Sequence, residues 1–134
     1  MTLILKISVI VNRKVSSWLR LVSLSLKNVV FSDTDGLRVE IDNGNYIPAS
    51  RLSTGTIDQM YISLRLSALN EMTDETMPII LDEAFAYFDD TRLRNFLRYL
   101  SVNFKDNQVI IFSCTDREEE TLKNLNISYT ISRL

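Results

Sequence analysis

Two short, uninterrupted apolar runs frame the second half of the chain. Ile79, Ile80 and Leu81 follow Pro78 and end at Asp82, and Val109 to Phe112 follow Gln108. Continuous runs of this kind suit strands buried on both faces of a parallel sheet, whereas half-wet strands alternate. Between them, Leu93, Phe96, Leu97 and Leu100 recur at the helical period behind Thr91, which can cap that helix. Strand, helix and strand with short joints predict a right-handed βαβ unit. A further helix is expected from about Arg117 to Leu125, and a last strand near Ile127 to Ile131.

The first half is patterned differently. Leu37, Val39 and Ile41 alternate with Arg38, Glu40 and Asp42, predicting a half-exposed strand. Asp42, Asn43, Gly44 and Asn45 are turn residues that tolerate positive φ, and Tyr46 and Ile47 begin the return strand of a hairpin. From Arg51 to Met72 the pattern becomes helical: Ser53 or Thr54 can cap the start, and Ile57, Tyr61, Leu64, Ala68 and Met72 recur at the helical period. Residues 1–31 form a separate N-terminal segment of uncertain character. Leu3 to Val11 can form a strand, and Val15, Leu19, Val22, Leu26 and Val29 lie along one stripe of a helix that also partly fits alternation. Core packing is the expectation for this segment.

With 134 residues and 46% apolar residues the chain fits one domain or part of one with a sizeable core. A net charge of −2 gives no global basic footprint for nucleic acid, so DNA contacts would be local or made through a larger assembly. The single cysteine, Cys114, excludes an internal disulfide framework and suits a cytoplasmic location. The chain contains no histidine, which removes Ser-His-Asp and Cys-His mechanisms and His-ligated zinc. The Leu3 to Val11 run is broken by Lys6 and is too short to span a bilayer.

Candidate chemistry concentrates at two places. Asp82 and Glu83 end a buried strand, where ligands gather in α/β sheets, and adjacent carboxylates there need a cation or a proton. Asp82 can help hold a hydrated Mg²⁺ while Glu83 polarises a water; alternatively, both acids cap the following turn. The helix start at Ser53 to Thr56 offers backbone N–H groups beside Gly55 and two hydroxyls, which suits either an anion or an ordinary Ser/Thr cap. Glu118 to Glu120 sit in the first turn of the Arg117 helix and read as a solvated helix start with no assigned function. Cys114, with no histidine to activate it, reads as a small core residue at a strand end.

Together, LSTGT at Leu52 to Thr56, IILDEAFAYFDD at Ile79 to Asp90 and QVIIFSCTDRE at Gln108 to Glu118 resemble the second half of an ABC-type ATPase head, above all the SMC-like and YhaN-like coiled-coil ATPases of chromosome segregation and DNA repair. The resemblance implies the C-terminal half of a P-loop NTPase over residues 32–134, α/β, with a mainly parallel sheet, flanking helices and an N-terminal β-hairpin. It further implies that Ser53, Gly55 and Thr56 of the signature motif contact the γ-phosphate of ATP on an opposing head. Asp82 would be the Walker B ligand of Mg²⁺ and Glu83 the catalytic base. Asp89, six positions after Glu83, matches the D-loop aspartate. Arg65 on the signature helix is implied to couple nucleotide to the coiled coil, with a surface salt bridge as the alternative.

Two departures qualify the match. No G-x-x-x-x-G-K-[ST] occurs, since none of Gly36, Gly44 and Gly55 precedes a lysine in that pattern. The family carries that phosphate cradle in an N-terminal lobe, separated by a coiled coil, and residues 1–31 are compatible with a coiled-coil remnant. The second departure is Thr115 at the position of the family's switch histidine; its hydroxyl can bond a phosphate oxygen but carries no charge. The implied cofactors, ATP and Mg²⁺, and the implied partners, an N-terminal lobe or a second head and through the assembly DNA, all depend on a complementing lobe. No membrane partner is implied. A stand-alone, non-enzymatic interaction module derived from such a lobe is the alternative. A Mg²⁺-dependent nuclease using Asp82, Glu83, Asp89 and Asp90 fits the acids but leaves the signature helix unexplained.

Overall fold

The computed structural model describes residues 29–32, 34, 36–41, 44–72 and 74–133. The chain divides into two compact units, Met1–Asp74 and Glu75–Leu134.

In the first unit, β1 (Val29–Ser32), β2 (Gly36–Glu40) and β3 (Tyr46–Pro48) form an antiparallel sheet in that order. The register sets Val29 opposite Val39, and Val39 opposite Ile47. Val29 and Val39 are fully buried and form a cluster with Ala49 and Met60, against which Leu37, Ile41, Leu52 and Leu64 pack. The expected β2–β3 hairpin is present. Gly44, at φ +77°, takes the left-handed conformation its turn requires, and its N–H donates to the Ile41 carbonyl. Val29 lies in β1 rather than in a helix: its alternation partners across the sheet outweigh a helical stripe that ended in a β-branched pair, Val29-Val30. The rest of that stripe and the Leu3 to Val11 strand lie outside the described residues.

A short 3₁₀ turn, Ala49–Arg51, leads into α1 (Thr54–Met72). The helix is where expected, but its buried side is not. Gly55, Thr56, Gln59, Met60, Ile62, Ser63 and Leu66 are buried, whereas Tyr61 is 49% exposed and Ile57, Leu64 and Ala68 are half-buried. Apolar residues occur all round this helix, so their period does not select a face, and the observed side includes three polar residues, Thr56, Gln59 and Ser63. The Ser63 hydroxyl is satisfied by the Gln59 carbonyl one turn earlier.

In the second unit, β4 (Ile79–Asp82) and β5 (Val109–Phe112) pair in parallel, Ile79 against Val109 through Asp82 against Phe112, joined through α2 (Asp90–Asn103). As expected, α2 buries Leu93, Phe96, Leu97 and Leu100. Its start is set by Asp89 rather than Thr91: Asp89 Oδ1 accepts from the Arg92 N–H at 2.8 Å, which places Thr91 inside the first turn. Phe85 and Phe88 fold back onto Phe96, with ring centroids 5.0 and 5.8 Å from it in tilted and edge-on arrangements. Ile79 and Leu81 are buried, but Ile80 between them is 62% exposed, so β4 is covered on one face only. The expectation of a doubly buried strand is not met among the described residues.

The helix α3 (Arg117–Asn124) is followed by Leu125 at its C-cap and by Asn126, whose φ of +55° lets the Ile127 N–H return to the Leu122 carbonyl. Beyond it, residues 127–133 are irregular instead of forming the expected strand. Among the described residues they have no ladder partner and are held by side chains: Tyr129 donates to Glu119 at 3.0 Å, and Arg133 reaches Glu119 at 3.1 Å and Asp116 at 3.3 Å. Lys123 also pairs with Glu119 at 2.7 Å, and this bond, followed by that from Tyr129, holds the Glu119 carboxyl below its ordinary range. Between β5 and this tail runs an open groove of about 890 Å³, lined by Leu97, Leu100 and Phe104 of the α2 side, Ile111 of β5 and Ile127 and Ile131 of the tail. Among the described residues, no helix is long and apolar enough to cross a membrane.

Candidate functional site

The turn after β4 is shaped by one unusual residue. Glu83 has φ +46°, one of two non-glycine residues in the left-handed region among the described residues. Such a conformation costs on the order of 1–3 kcal/mol and persists only where the surroundings impose it. Here the imposing contacts are visible: the Glu83 N–H donates to the Phe112 carbonyl at 2.9 Å, extending the β4–β5 ladder past Asp82. Glu83 Oε1 then accepts the backbone N–H of Cys114 at 2.6 Å. The carboxylate is thereby held over the end of β5, where the loop Ser113–Thr115 begins. Asp82 ends β4 with its side chain exposed.

Both sides of this turn are tied to the start of α3. The Arg117 guanidinium donates through Nη2 to the carbonyls of Phe88 at 2.7 Å and Phe85 at 3.2 Å, bracing the loop between Glu83 and Asp89. The next residue, Glu118, is only 8% exposed, and its Oε2 accepts from Ser113 Oγ at 2.7 Å and from Thr115 Oγ1 at 2.9 Å. Sequence reasoning missed this role, since a run of three glutamates in a first helical turn resembles a solvated face. The only signal available was the pair of hydroxyls three and five residues earlier, within reach of a carboxylate at a helix start.

The structure therefore brings Asp82, Glu83 and the Ser113–Thr115 loop together at the carboxyl ends of two parallel strands. Cys114 is exposed and is not the core residue expected. Its thiol is pushed up from the ordinary value by its hydrogen bond to Glu83 and by that carboxylate's charge, which disfavours a thiolate nucleophile. Thr115 lies beside the acids, but its hydroxyl proton is already given to Glu118. Asp89 is spent locally: beside the cap bond, its Oδ2 pairs with Arg92 at 3.2 Å.

Ser53, Gly55 and Thr56 belong to the first unit. Ser53 Oγ accepts the Thr56 N–H at 3.3 Å and lies 2.7 Å from Thr56 Oγ1, so the ordinary capping role is realised here. Ser53 is exposed, while Gly55 and Thr56 are buried in the first turn of α1. Anion binding at this helix end would draw on its backbone N–H groups and on a hydroxyl proton of Ser53 or Thr56.

No protein-family model matches the chain. Over 109 residues it is 28% identical to the uncharacterized protein YhaN of Bacillus subtilis, a match that covers 79% of this chain and 11% of that protein. Among solved structures, one from work on ATP-driven dimerization and DNA-stimulated activation of SMC ATPases superposes with a TM-score of 0.71 at 13% identity, covering 90% of this chain and 76% of the other. The fold is that of an SMC ATPase head. The SMC head domain of Thermotoga maritima gives 0.63 at 21% identity over 83% of this chain and 40% of its own. An SMC head bound to the C-terminal winged-helix domain of ScpA gives 0.67 at 14% identity over 87% and 38%. The chain thus spans about a tenth of the length of its curated relative and less than half of these two SMC heads.

The carboxylates at this strand end suit Mg²⁺, whereas no phosphate cradle for a nucleotide is encoded in the sequence. Among the described residues no cluster of three or more acids, cysteines or histidines could cage a metal. Mg²⁺ does not need one, because it keeps several waters and takes one or two carboxylates together with substrate phosphates. An exposed aspartate at the end of a parallel strand is a donor of that kind.

Proposed function

We propose that this chain is the C-terminal lobe of an SMC-like ABC ATPase head, which binds and hydrolyses ATP once a lobe carrying the phosphate cradle joins it. The observation that carries the reading is Glu83: a carboxylate held in a strained turn at the end of β4, directed by a short hydrogen bond to the end of the neighbouring strand. Strain maintained at a strand end beside an exposed aspartate is expected of a site that positions a reacting group.

In this reading Asp82 would hold Mg²⁺, whose charge offsets that of the phosphates. Glu83 would accept the proton of the attacking water, a task that requires its carboxylate to be aimed before the nucleotide arrives. Ser53, the exposed residue of the three, would meet the γ-phosphate of ATP on an opposing head, with Gly55 and Thr56 shaping the helix start behind it. Asp89 would lie at the head-to-head contact while continuing to cap α2. Thr115 can donate to a phosphate oxygen only after its proton leaves Glu118; in the arrangement described it presents lone pairs. DNA repair or chromosome maintenance would be the service of the assembly rather than of this lobe.

The second unit also supports a missing neighbour. β5 pairs with β4 on one edge only among the described residues, an open groove lies between β5, α2 and the tail, and Ile80 is exposed on one face of the sheet. A strand and helix of an N-terminal lobe would fill that groove and give the Ile127 to Ile131 segment a sheet to join. The test is calorimetric titration of the pure chain with Mg²⁺-ATP. No binding is expected, because no backbone cradle for the α- and β-phosphates is encoded here; saturable binding by the chain alone would overturn the assignment as an incomplete head.

A further inference from the structure

We infer that Glu118 is the positioning residue of the Glu83 carboxylate, acting through the Ser113–Thr115 loop; its relevance to catalysis rests on the assignment of Glu83 above. Glu118 is 8% exposed, and a carboxylate so withdrawn from water must be satisfied by donors. Its Oε2 takes the protons of both Ser113 Oγ and Thr115 Oγ1, at 2.7 and 2.9 Å. Ser113 Oγ in turn accepts the Thr115 N–H at 3.1 Å. Three consecutive residues of an otherwise exposed loop are thus closed around one buried oxygen. The residue between the two hydroxyls is Cys114, and its N–H is the group that holds Glu83 at 2.6 Å.

The direction of that N–H depends on the loop's conformation, and the loop's conformation depends on Glu118. The Glu118 backbone is fixed inside α3, and the preceding Arg117 ties the same helix start to the carbonyls of Phe85 and Phe88 on the far side of the Glu83 turn. Two adjacent side chains therefore hold both loops against one helix end, and Glu83 spans the gap between them. Charge-assisted hydrogen bonds of this kind are about twice as strong as neutral ones, which suits a lock that must outlast thermal motion of an exposed loop.

The chain carries a reporter of this lock that needs no nucleotide, the Cys114 amide. In the full 134-residue chain its proton should resonate far downfield and exchange slowly, and Glu83→Gln supplies the reference for a weakened bond. Glu118→Ala should shift that proton upfield and raise its exchange rate by about tenfold, the change that corresponds to losing one hydrogen bond of roughly 1.4 kcal/mol. Ser113→Ala, at an exposed position, should move the same resonance in the same direction, so the inference stays testable if Glu118→Ala fails to fold. A merely structural role would lower global stability and leave the Cys114 proton in place. The inference is overturned if Glu118→Ala, or Ser113→Ala in its stead, leaves that proton unchanged, or if the wild-type amide exchanges as fast as in Glu83→Gln. Because these readouts are taken without ATP, failure of the ATPase assignment would appear separately, as absent turnover with an intact lock.

Discussion

Glu83→Gln, introduced into a head completed by an N-terminal lobe, should leave ATP binding intact while reducing turnover by at least about 10²–10⁴-fold, the range supplied by a positioned general base. The two readouts separate because Gln keeps the size of the side chain and an oxygen that can accept the Cys114 N–H, but it cannot take a proton from water. Binding is measured by nucleotide titration and turnover by steady-state phosphate release. A mutant that hydrolyses ATP at the unmutated rate would reject Glu83 as the base. Loss of binding along with turnover would instead point to collapse of the strained turn.

Phe96→Ala should have the largest effect on stability, because Phe96 is fully buried and receives the rings of both Phe85 and Phe88. Removing a buried aromatic ring typically costs about 3–5 kcal/mol through lost transfer energy and the cavity left behind. The loss should also loosen the loop that Arg117 braces, since Phe85 and Phe88 supply the carbonyls that it holds. Denaturant unfolding of the wild type and mutant measures the difference. A change below about 1 kcal/mol would show that the aromatic cluster does not anchor the loop.

The parts of the fold legible in the sequence were those with local, one-sided patterns. The β2–β3 hairpin followed from strict alternation and turn residues, and α2 from apolar positions at the helical period. The Asp82-Glu83 pair stood out because two acids directly follow an apolar run, and the structure places both at the end of β4. What was misread depends on groups the pattern does not contain. The face of α1 could not be chosen because Ile57, Met60, Tyr61, Ile62, Leu64 and Leu66 surround it, and the buried side includes Gln59 and Ser63. Asp89, Asp90 and Thr91 are all capping residue types in succession, and only geometry shows which one accepts the N–H. Ile80 and the Ile127 to Ile131 segment have the composition of paired, covered strands, yet nothing within the described residues covers the one or pairs with the other. Glu118 was hidden by its two acidic neighbours, Glu119 and Glu120, although its carboxylate, unlike that of Glu120, turns inward.

The misreadings of Ile80 and of the Ile127 to Ile131 segment share a cause. Hydrophobic patterning reports what a chain expects to bury, and the second unit carries apolar surface on Ile80, Phe112 and Ile131 that this chain leaves at 62%, 47% and 50% exposure. Surface of that character beside a strand paired on one edge only among the described residues is what an incomplete sheet presents.

The central claim is that Asp82 and Glu83 are silent until another lobe brings a nucleotide to them. It is tested most directly by measuring ATP hydrolysis by the pure chain alone and after joining it, covalently or by co-expression, to an N-terminal lobe that carries G-x-x-x-x-G-K-[ST]. The account predicts no turnover from the chain alone and turnover from the joined protein that disappears with Glu83→Gln. Turnover by the chain alone, or a joined protein that binds ATP yet hydrolyses none, would contradict it.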